Sequence, residues 1–358
     1  MLKPREAVRT LPSYHPPLAG RDGLRLDFNE NTIGCSPRVL ERLRRLGVED
    51  LARYPEREPV EAVVASMLGI APSELLLTNG VDEAIHLLCE TYLEPGDEAL
   101  IVVPTYSMYR IYVMAAGAQV VNVPAGKNFA FPGDELCQRI TPRTRLIAIA
   151  NPNNPTGTVA AAEDLAKIAR SAPGAPVLVD EAYFEFYGQS MLPARKEFPN
   201  VFVARTFSKA YGLAGLRMGA LVGDAEQMRE VRRVSSPYNV NAVALTCLPE
   251  ALSDQAYIEQ YVSEVRECRT GLEQALGANG IQFWPSHANF VLARVGATGA
   301  FVETMRRRGI LVRDRSSDHG CEGCVRITVG PRAHASRLLA ALQETCEELG
   351  IAQGASRR

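Results

Sequence analysis

The stretch "TFSKAYGLAGLR" (206–217) holds one lysine, two hydroxyl residues just before it and one arginine eight positions after it. Small and glycine residues fill the interval between Lys209 and Arg217 and let the backbone pack closely. The run "VFVARTF" (201–207) just upstream has the continuous apolar, β-branched character of a buried strand. Lys209 therefore falls just past the end of a strand, with Thr206 and Ser208 beside it.

Further runs of the same kind are "EALIVVP" (98–104), "AQVVNVP" (118–124), "RLIAIANP" (145–152), "PVLVDEAY" (176–183) and "MGALVG" (218–223). Amphipathic stretches such as "TVAAAEDLAKIARSA" (158–172) lie between several of them. Short apolar strands alternating with helices predict an α/β fold, a mostly parallel sheet covered on both faces. Ligands of such folds sit at the carboxyl ends of the strands.

After about residue 240 the texture changes. A long helical stretch (254–276) leads into strand-like "FWPSHANFVLARV" (283–295), "GILVRD" (309–314) and "CVRITVG" (324–330), with one helix over 299–308. We expect an arm over 1–35 that joins a smaller α+β domain, a large domain over 36–245, and the rest of the small domain over 246–358.

The bulk numbers narrow the class of partner. The 358 residues exceed one typical core and are 46% hydrophobic and 22% charged, an ordinary globular composition. Lysine plus arginine number 39 against 41 acidic residues, so no charge excess draws the chain to nucleic acid or an anionic membrane. No run approaches the ~20 apolar residues that span a bilayer. The start "MLKPREAVRT" lacks a signal peptide's apolar core. Eight scattered cysteines read as reduced cytosolic thiols. "CEGC" (321–324) is the only close pair, and His319 alone does not complete a zinc site. The five histidines have neither triad nor metal spacing and read as structural, with His86 packed on its helix. The expected partner is a small molecule, with no metal.

Polar residues recur where the strands should end. "TNGVDEAIHLL" (78–88) opens a helix after "ELLL". Gly80 permits a tight turn, and the free amides of Val81 and Asp82 make an anion site. "NPNNPTG" (151–157) supplies asparagines in an irregular turn, and "VLVDEAY" (177–183) ends an apolar strand in Asp180 with Tyr183 three residues on. A carboxylate buried there needs a cation or a donor.

Taken singly, Lys209 reads as the salt-bridge partner of Asp180. The set reads otherwise. An anion cradle (Gly80, Thr206, Ser208, Arg217), a buried carboxylate (Asp180), two groups directed at a phenolic oxygen (Asn154, Tyr183) and an amine describe pyridoxal 5′-phosphate. Burial lowers a lysine's pKa and frees its amine to condense with an aldehyde.

With its order Asn–Asp–Tyr–Ser–Lys–Arg, the chain resembles the aspartate-aminotransferase fold, fold type I of the pyridoxal phosphate enzymes, over nearly its whole length. Within it the chain most resembles the histidinol-phosphate aminotransferase family. The residues behind this are "DFNENTIGCSP" (27–37), "RYPE" (53–56), "PTYSMYR" (104–110), "SSPYNVNAVAL" (235–245), "ANFVLAR" (288–294), "GILVRD" and "VRITVG" (325–330). The resemblance implies that Lys209 is the Schiff-base lysine and proton shuttle, and that Asp180 partners the pyridine nitrogen. It gives the phenolic oxygen to Asn154 and Tyr183, the ring stack to Tyr106, and the phosphate to Val81, Asp82, Thr206, Ser208 and Arg217. Tyr54 matches a tyrosine that reaches the neighbouring subunit's cofactor phosphate, which implies a homodimer with shared sites. Arg326 and Arg313 match the arginines that bind the substrate's phosphate, Arg326 also taking the carboxylate of glutamate. Tyr14 matches a tyrosine near the substrate, although "PSYHPP" departs from the family's usual pattern there.

The activity implied is transamination between histidinol phosphate and 2-oxoglutarate in histidine biosynthesis, in the cytoplasm. Rival readings of the same motifs are an aminotransferase for aromatic or other amino acids and a phospho-amino-acid decarboxylase. A regulatory binding module on this fold carries an N-terminal DNA-binding segment. Residues 1–26, before "DFNEN", are too few for one, and Lys209 is retained.

Overall fold

Strands in this chain are continuous apolar runs because both faces of the main sheet are covered. A computed structural model describes residues 2–9, 11, 20 and 22–351. In chain order its strands are β1 (Leu24–Arg25), β2 (Leu75–Asn79), β3 (Glu98–Val103), β4 (Gln119–Pro124), β5 (Thr144–Ala150), β6 (Val177–Asp180), β7 (Val201–Thr206) and β8 (Met218–Val222). Then follow β9 (Gln282–Trp284), β10 (Phe290–Arg294), β11 (Ile310–Leu311), β12 (Arg313–Asp314) and β13 (Cys324–Thr328).

Seven strands form the main sheet in the order β2-β8-β7-β6-β5-β3-β4. Only β8 runs against its neighbours β2 and β7; the other pairings are parallel. Alternate residues of each strand feed two separate cores. Val177, Val179, Val201 and Val203 enter one layer, while Leu178, Phe202 and Ala204 enter the other. The helices Ala162–Ser171 and Gln255–Ala278 supply Leu165, Ile168 and Val262 to the first. The helices Gly80–Tyr92 and Met108–Ala116 supply Ile85, Tyr109 and Val113 to the second. Deleting one leucine side chain from such a layer costs about 2–5 kcal/mol. The period of two also sends Asp180 to the side of Leu178, toward the second layer.

A second sheet, β12-β13-β10-β9, is antiparallel throughout. "FWPSHANFVLARV" is therefore two strands rather than one, and "GILVRD" is split as well. Its first half, β11, pairs in parallel with β1, and its second half, β12, pairs with β13. The arm thus reaches residues 310–311 by backbone pairing, and Leu26 N–H continues it by donating to the Leu311 carbonyl at 2.9 Å.

One small reading changes. His86 is exposed, stacked on Tyr112 and paired with Glu90, because it sits on the solvent side of its amphipathic helix. Cys321 and Cys324 are buried free thiols packed with Phe129, Trp284 and Leu292. Among the described residues no group of three or more His, Cys, Asp or Glu side chains is placed to hold a metal. No described helix is long and apolar enough to cross a membrane.

Candidate active site

A cavity of about 750 Å³ opens between the carboxyl ends of the main sheet and the face of β12-β13. Val81, Asp82, Tyr106, Asn154, Asp180, Tyr183, Thr206, Ser208, Lys209, Arg217, Arg313 and Arg326 all line it, so twelve expected residues from seven separate segments converge there.

Lys209 follows β7 and donates from Nζ to the Phe28 carbonyl at 3.1 Å. It makes no ion pair with Asp180, which removes the plain salt-bridge reading of this lysine. Enclosure by protein, and then the positive charge of Arg326, bring its pKa down from 10.5 to about 8. An amine so tuned spends a useful fraction of its time unprotonated near neutral pH.

Asp180 ends β6. Its carboxylate accepts from the Tyr109 hydroxyl at 2.5 Å and from the Ala182 N–H at 3.0 Å. Burial raises its pKa to about 6, against the lowering effect of those two donors. Among the described residues no cation pairs with it, so a buried carboxylate awaits positive charge from the cavity.

The phenol of Tyr183 is buried and accepts from Asn29 Nδ2 at 2.9 Å, while its ring meets Phe290 edge to face. Asn154 Oδ1 accepts from Arg326 Nη1 at 2.6 Å, and Arg326 Nη2 donates to the Asp27 carbonyl at 2.6 Å. These bonds fix the guanidinium plane and leave Nε buried without a partner. Burial, followed by the nearby charge of Arg315, lowers the Arg326 pKa to about 10. Arg313 lies across the strand pair from Arg326, its guanidinium 5.4 Å from the centre of the Phe28 ring and its Nη1 buried without a partner.

The other end of the cavity is an anion cradle. The helix Gly80–Tyr92 begins there, with Gly80 at φ +75°. A Cβ at that glycine would stand 2.5 Å from Arg217 Nη2, so the guanidinium closes over bare backbone. Arg217 itself adopts φ +57°, a left-handed conformation uncommon for a residue with a side chain. It pairs with Asp82 Oδ2 at 3.0 Å, and the Tyr106 hydroxyl donates to Asp82 Oδ1 at 2.8 Å. The Asp82 carboxylate is thus turned to these two partners. The Thr206 hydroxyl accepts from the Ser208 N–H at 3.2 Å, while Ser208 Oγ is buried and has no partner.

These observations fit pyridoxal 5′-phosphate. The orphaned hydroxyl, the glycine-floored helix start and Arg217 match a phosphate. The unpaired carboxylate matches a protonated ring nitrogen, and the softened lysine matches an aldehyde. Tyr54 lies apart, 77% exposed and stacked on Tyr238 at 4.3 Å, and does not line the cavity. Tyr14 lies outside the described residues.

Sequence reasoning assigned no role to Tyr109, Asn29 or Arg315. Tyr109 follows Tyr106 at i+3 and meets it edge to face, 5.8 Å between ring centres, so helical spacing was its signal. Asn29 sits in the quoted "DFNEN". Arg315 has the strand spacing i+2 from Arg313.

Residues 21–342 match the family model for aminotransferase class I and II. The chain belongs to the class I and II aminotransferases. Similar relatives are the histidinol-phosphate aminotransferases of Paracoccus denitrificans, 38% identical over 88% of this chain and 87% of that one, and of Roseobacter denitrificans, 38% identical over 89% and 90%. Among solved structures, the histidinol-phosphate aminotransferase of Sinorhizobium meliloti in complex with pyridoxal-5′-phosphate superposes with a TM-score of 0.87 at 25% identity, covering 96% and 97% of the two chains. A Thermus thermophilus aspartate aminotransferase variant, 24% identical with a TM-score of 0.82 over 96% of this chain and 100% of that one, has the same fold.

Proposed function

We propose that this chain is a pyridoxal phosphate-dependent histidinol-phosphate aminotransferase, converting histidinol phosphate and 2-oxoglutarate to imidazole acetol phosphate and glutamate in histidine biosynthesis. The observation that carries the reading is that two sets of groups suited to anions line one cavity. One is the cradle at Gly80, Ser208 and Arg217. The other is the arginine set at Arg313 and Arg326, with Lys209 and Asp180 also on the cavity wall.

When bound, the cofactor supplies an aldehyde that condenses with amines and a ring that takes up the electron pair released at the substrate carbon. Lys209 would be the amine that meets the cofactor's aldehyde, and its Nζ, when free, would move the proton from the substrate's α-carbon. The Asp180 carboxylate, held by Tyr109 and the Ala182 N–H, would keep the ring nitrogen protonated. Asn154 and Tyr183 would hold the phenolic oxygen, and Tyr106 would lie against the ring. Arg326 and Arg313 bind the phosphate of histidinol phosphate, and Arg326 the carboxylate of glutamate.

The assembly proposed is a homodimer in the cytoplasm. Val48, Leu51, Tyr54 and Tyr238 are exposed apolar side chains, and the helices Pro37–Arg44, Val48–Ala52 and Glu58–Leu68 gather on the helix Ala242–Ser253. A second copy would cover them and receive Tyr54 at its cofactor phosphate. All eight cysteines are free thiols.

The test is a half-reaction on the purified yellow protein without any acceptor. Histidinol phosphate and glutamate should each convert the cofactor spectrum to the amine form rapidly, and phenylalanine only weakly. Conversion by another amine but not by histidinol phosphate would leave the family standing and remove the substrate.

A further inference from the structure

Three arginines, rather than two, face the substrate end of the cavity. Arg315 lies two residues past Arg313 in extended chain, its N–H donating to the Cys324 carbonyl at 3.0 Å. Strand alternation therefore puts its side chain on the face that carries Arg313 and Arg326. Arg315 lines the cavity, and its side chain is only 15% exposed. Asp318 grips one end of the guanidinium across a tight turn, whose backbone closes by the Asp318 N–H donating to the Arg315 carbonyl at 3.0 Å. The Arg315 Nε is buried and has no hydrogen-bond partner among the described residues, as is true of Arg313 Nη1 and Arg326 Nε.

Three guanidinium groups with orphaned donors on one enclosed surface are costly, both through mutual repulsion and through unmade hydrogen bonds. A carboxylate cannot answer this arrangement in full. It has two oxygens and one charge, which one bidentate guanidinium already satisfies. A phosphate monoester has three terminal oxygens and nearly two charges.

We propose that Arg315 is a third anion-binding residue that sets the preference for a phosphate monoester over a carboxylate, with Asp318 as the residue that positions it. The proposal rests on the aminotransferase reading above and adds the residue that separates the two half-reactions.

The test compares holoenzyme kinetics of wild type, Arg315→Gln, Arg315→Lys and Asp318→Asn, with inorganic phosphate as a competing probe. Arg315→Gln should raise KM for histidinol phosphate about ten- to a hundredfold, the loss of one charged hydrogen-bond donor. KM for glutamate should rise by less than about threefold, since the carboxylate is already held. The inhibition constant of inorganic phosphate should weaken in step with KM for histidinol phosphate. Arg315→Lys should recover part of the loss, and Asp318→Asn should show a smaller effect of the same sign. Equal rises in both KM values, an effect confined to kcat, or an unchanged phosphate inhibition constant would overturn the proposal. Should wild type convert a different amine and not histidinol phosphate, the substrate reading fails. The phosphate inhibition constant, measured with that amine, then decides on Arg315 alone.

Discussion

Arg313 and Arg326 stand directly opposite each other in the antiparallel pairing of β12 with β13. Like charges in that position repel, by about 0.2–1 kcal/mol in exposed pairs. The proposed role of both arginines in binding the substrate's anion would account for the arrangement. Arg313→Gln should therefore leave the melting temperature of the substrate-free holoenzyme unchanged or raise it slightly. The same variant should raise KM for histidinol phosphate by about tenfold or more. Differential scanning fluorimetry beside steady-state kinetics separates this from a structural role, in which stability would fall and KM would hold.

Asp180→Asn keeps the shape of the site and removes the charge that matches a protonated ring nitrogen. The variant should fold and still take up the cofactor, seen by absorbance after gel filtration. Its turnover should drop by at least about a hundredfold, the scale of one lost preorganised electrostatic partner. Normal turnover in a loaded Asp180→Asn enzyme would remove Asp180 from the electron-sink role.

Lys209 sets a pH dependence with a definite sign. Its folded pKa of about 8 lies below the ordinary 10.5, so the reactive neutral amine is gained as pH rises. The rate at which cofactor-free protein captures pyridoxal phosphate should climb to a plateau with its half-point near pH 8. The depressed value also means that an unfolded chain binds a proton between about 8 and 10.5 that the folded chain does not. The contribution of Lys209 to stability is thus fully present above the unfolded pKa and is lost as pH falls through about 8. Lys209→Met should lack both effects; a capture rate flat across pH 7–9 in wild type would contradict the assignment.

Ser208 carries a buried hydroxyl that no neighbour satisfies. Removing such a group relieves a desolvation cost, so Ser208→Ala without cofactor should be as stable as wild type or more so. Cofactor affinity should nevertheless fall about tenfold, the worth of one charge-assisted hydrogen bond to phosphate. Equilibrium dialysis against pyridoxal phosphate measures this directly.

Tyr54 tests the shared site. A Tyr54→Ala chain and a Lys209→Ala chain are each expected to be impaired alone. Co-refolded in equal amounts, half of the dimers would be mixed, each with one complete site, and about a quarter of wild-type activity should return. No recovery, or a monomeric wild-type protein by analytical ultracentrifugation, would place Tyr54 outside the site.

Most of the main sheet was legible because strands covered on both faces are written as unbroken apolar runs. The convergence of Lys209, Thr206, Ser208 and Arg217 on one cavity was legible for a related reason, since they occupy one short stretch at a strand end. What stayed hidden was pairing at long range. Asn29 meets Tyr183 across 154 positions, and Tyr109 meets Asp180 across 71. No local pattern marks such partners, because the sheet order that brings them together is set by packing rather than by any one segment. The splitting of "GILVRD" was equally invisible: its two halves turn to different partners at Val312, and periodicity alone cannot show where a strand changes neighbour. His86 was misread for a simpler reason, since one polar residue on a helix does not reveal which face looks outward.

Residues 27–29 touch the site three times, through the Asp27 carbonyl on Arg326, the Phe28 carbonyl on Lys209 and the Asn29 amide on Tyr183. The site is therefore sewn from segments that lie 299 positions apart in the chain. During synthesis Lys209 and Asp180 are made before Arg326, so the wall of the cavity formed by β13 is the last to join it. A chain cut short before β13 would hold Lys209 and Asp180 without Arg326 or the strand pairing that seats Arg313.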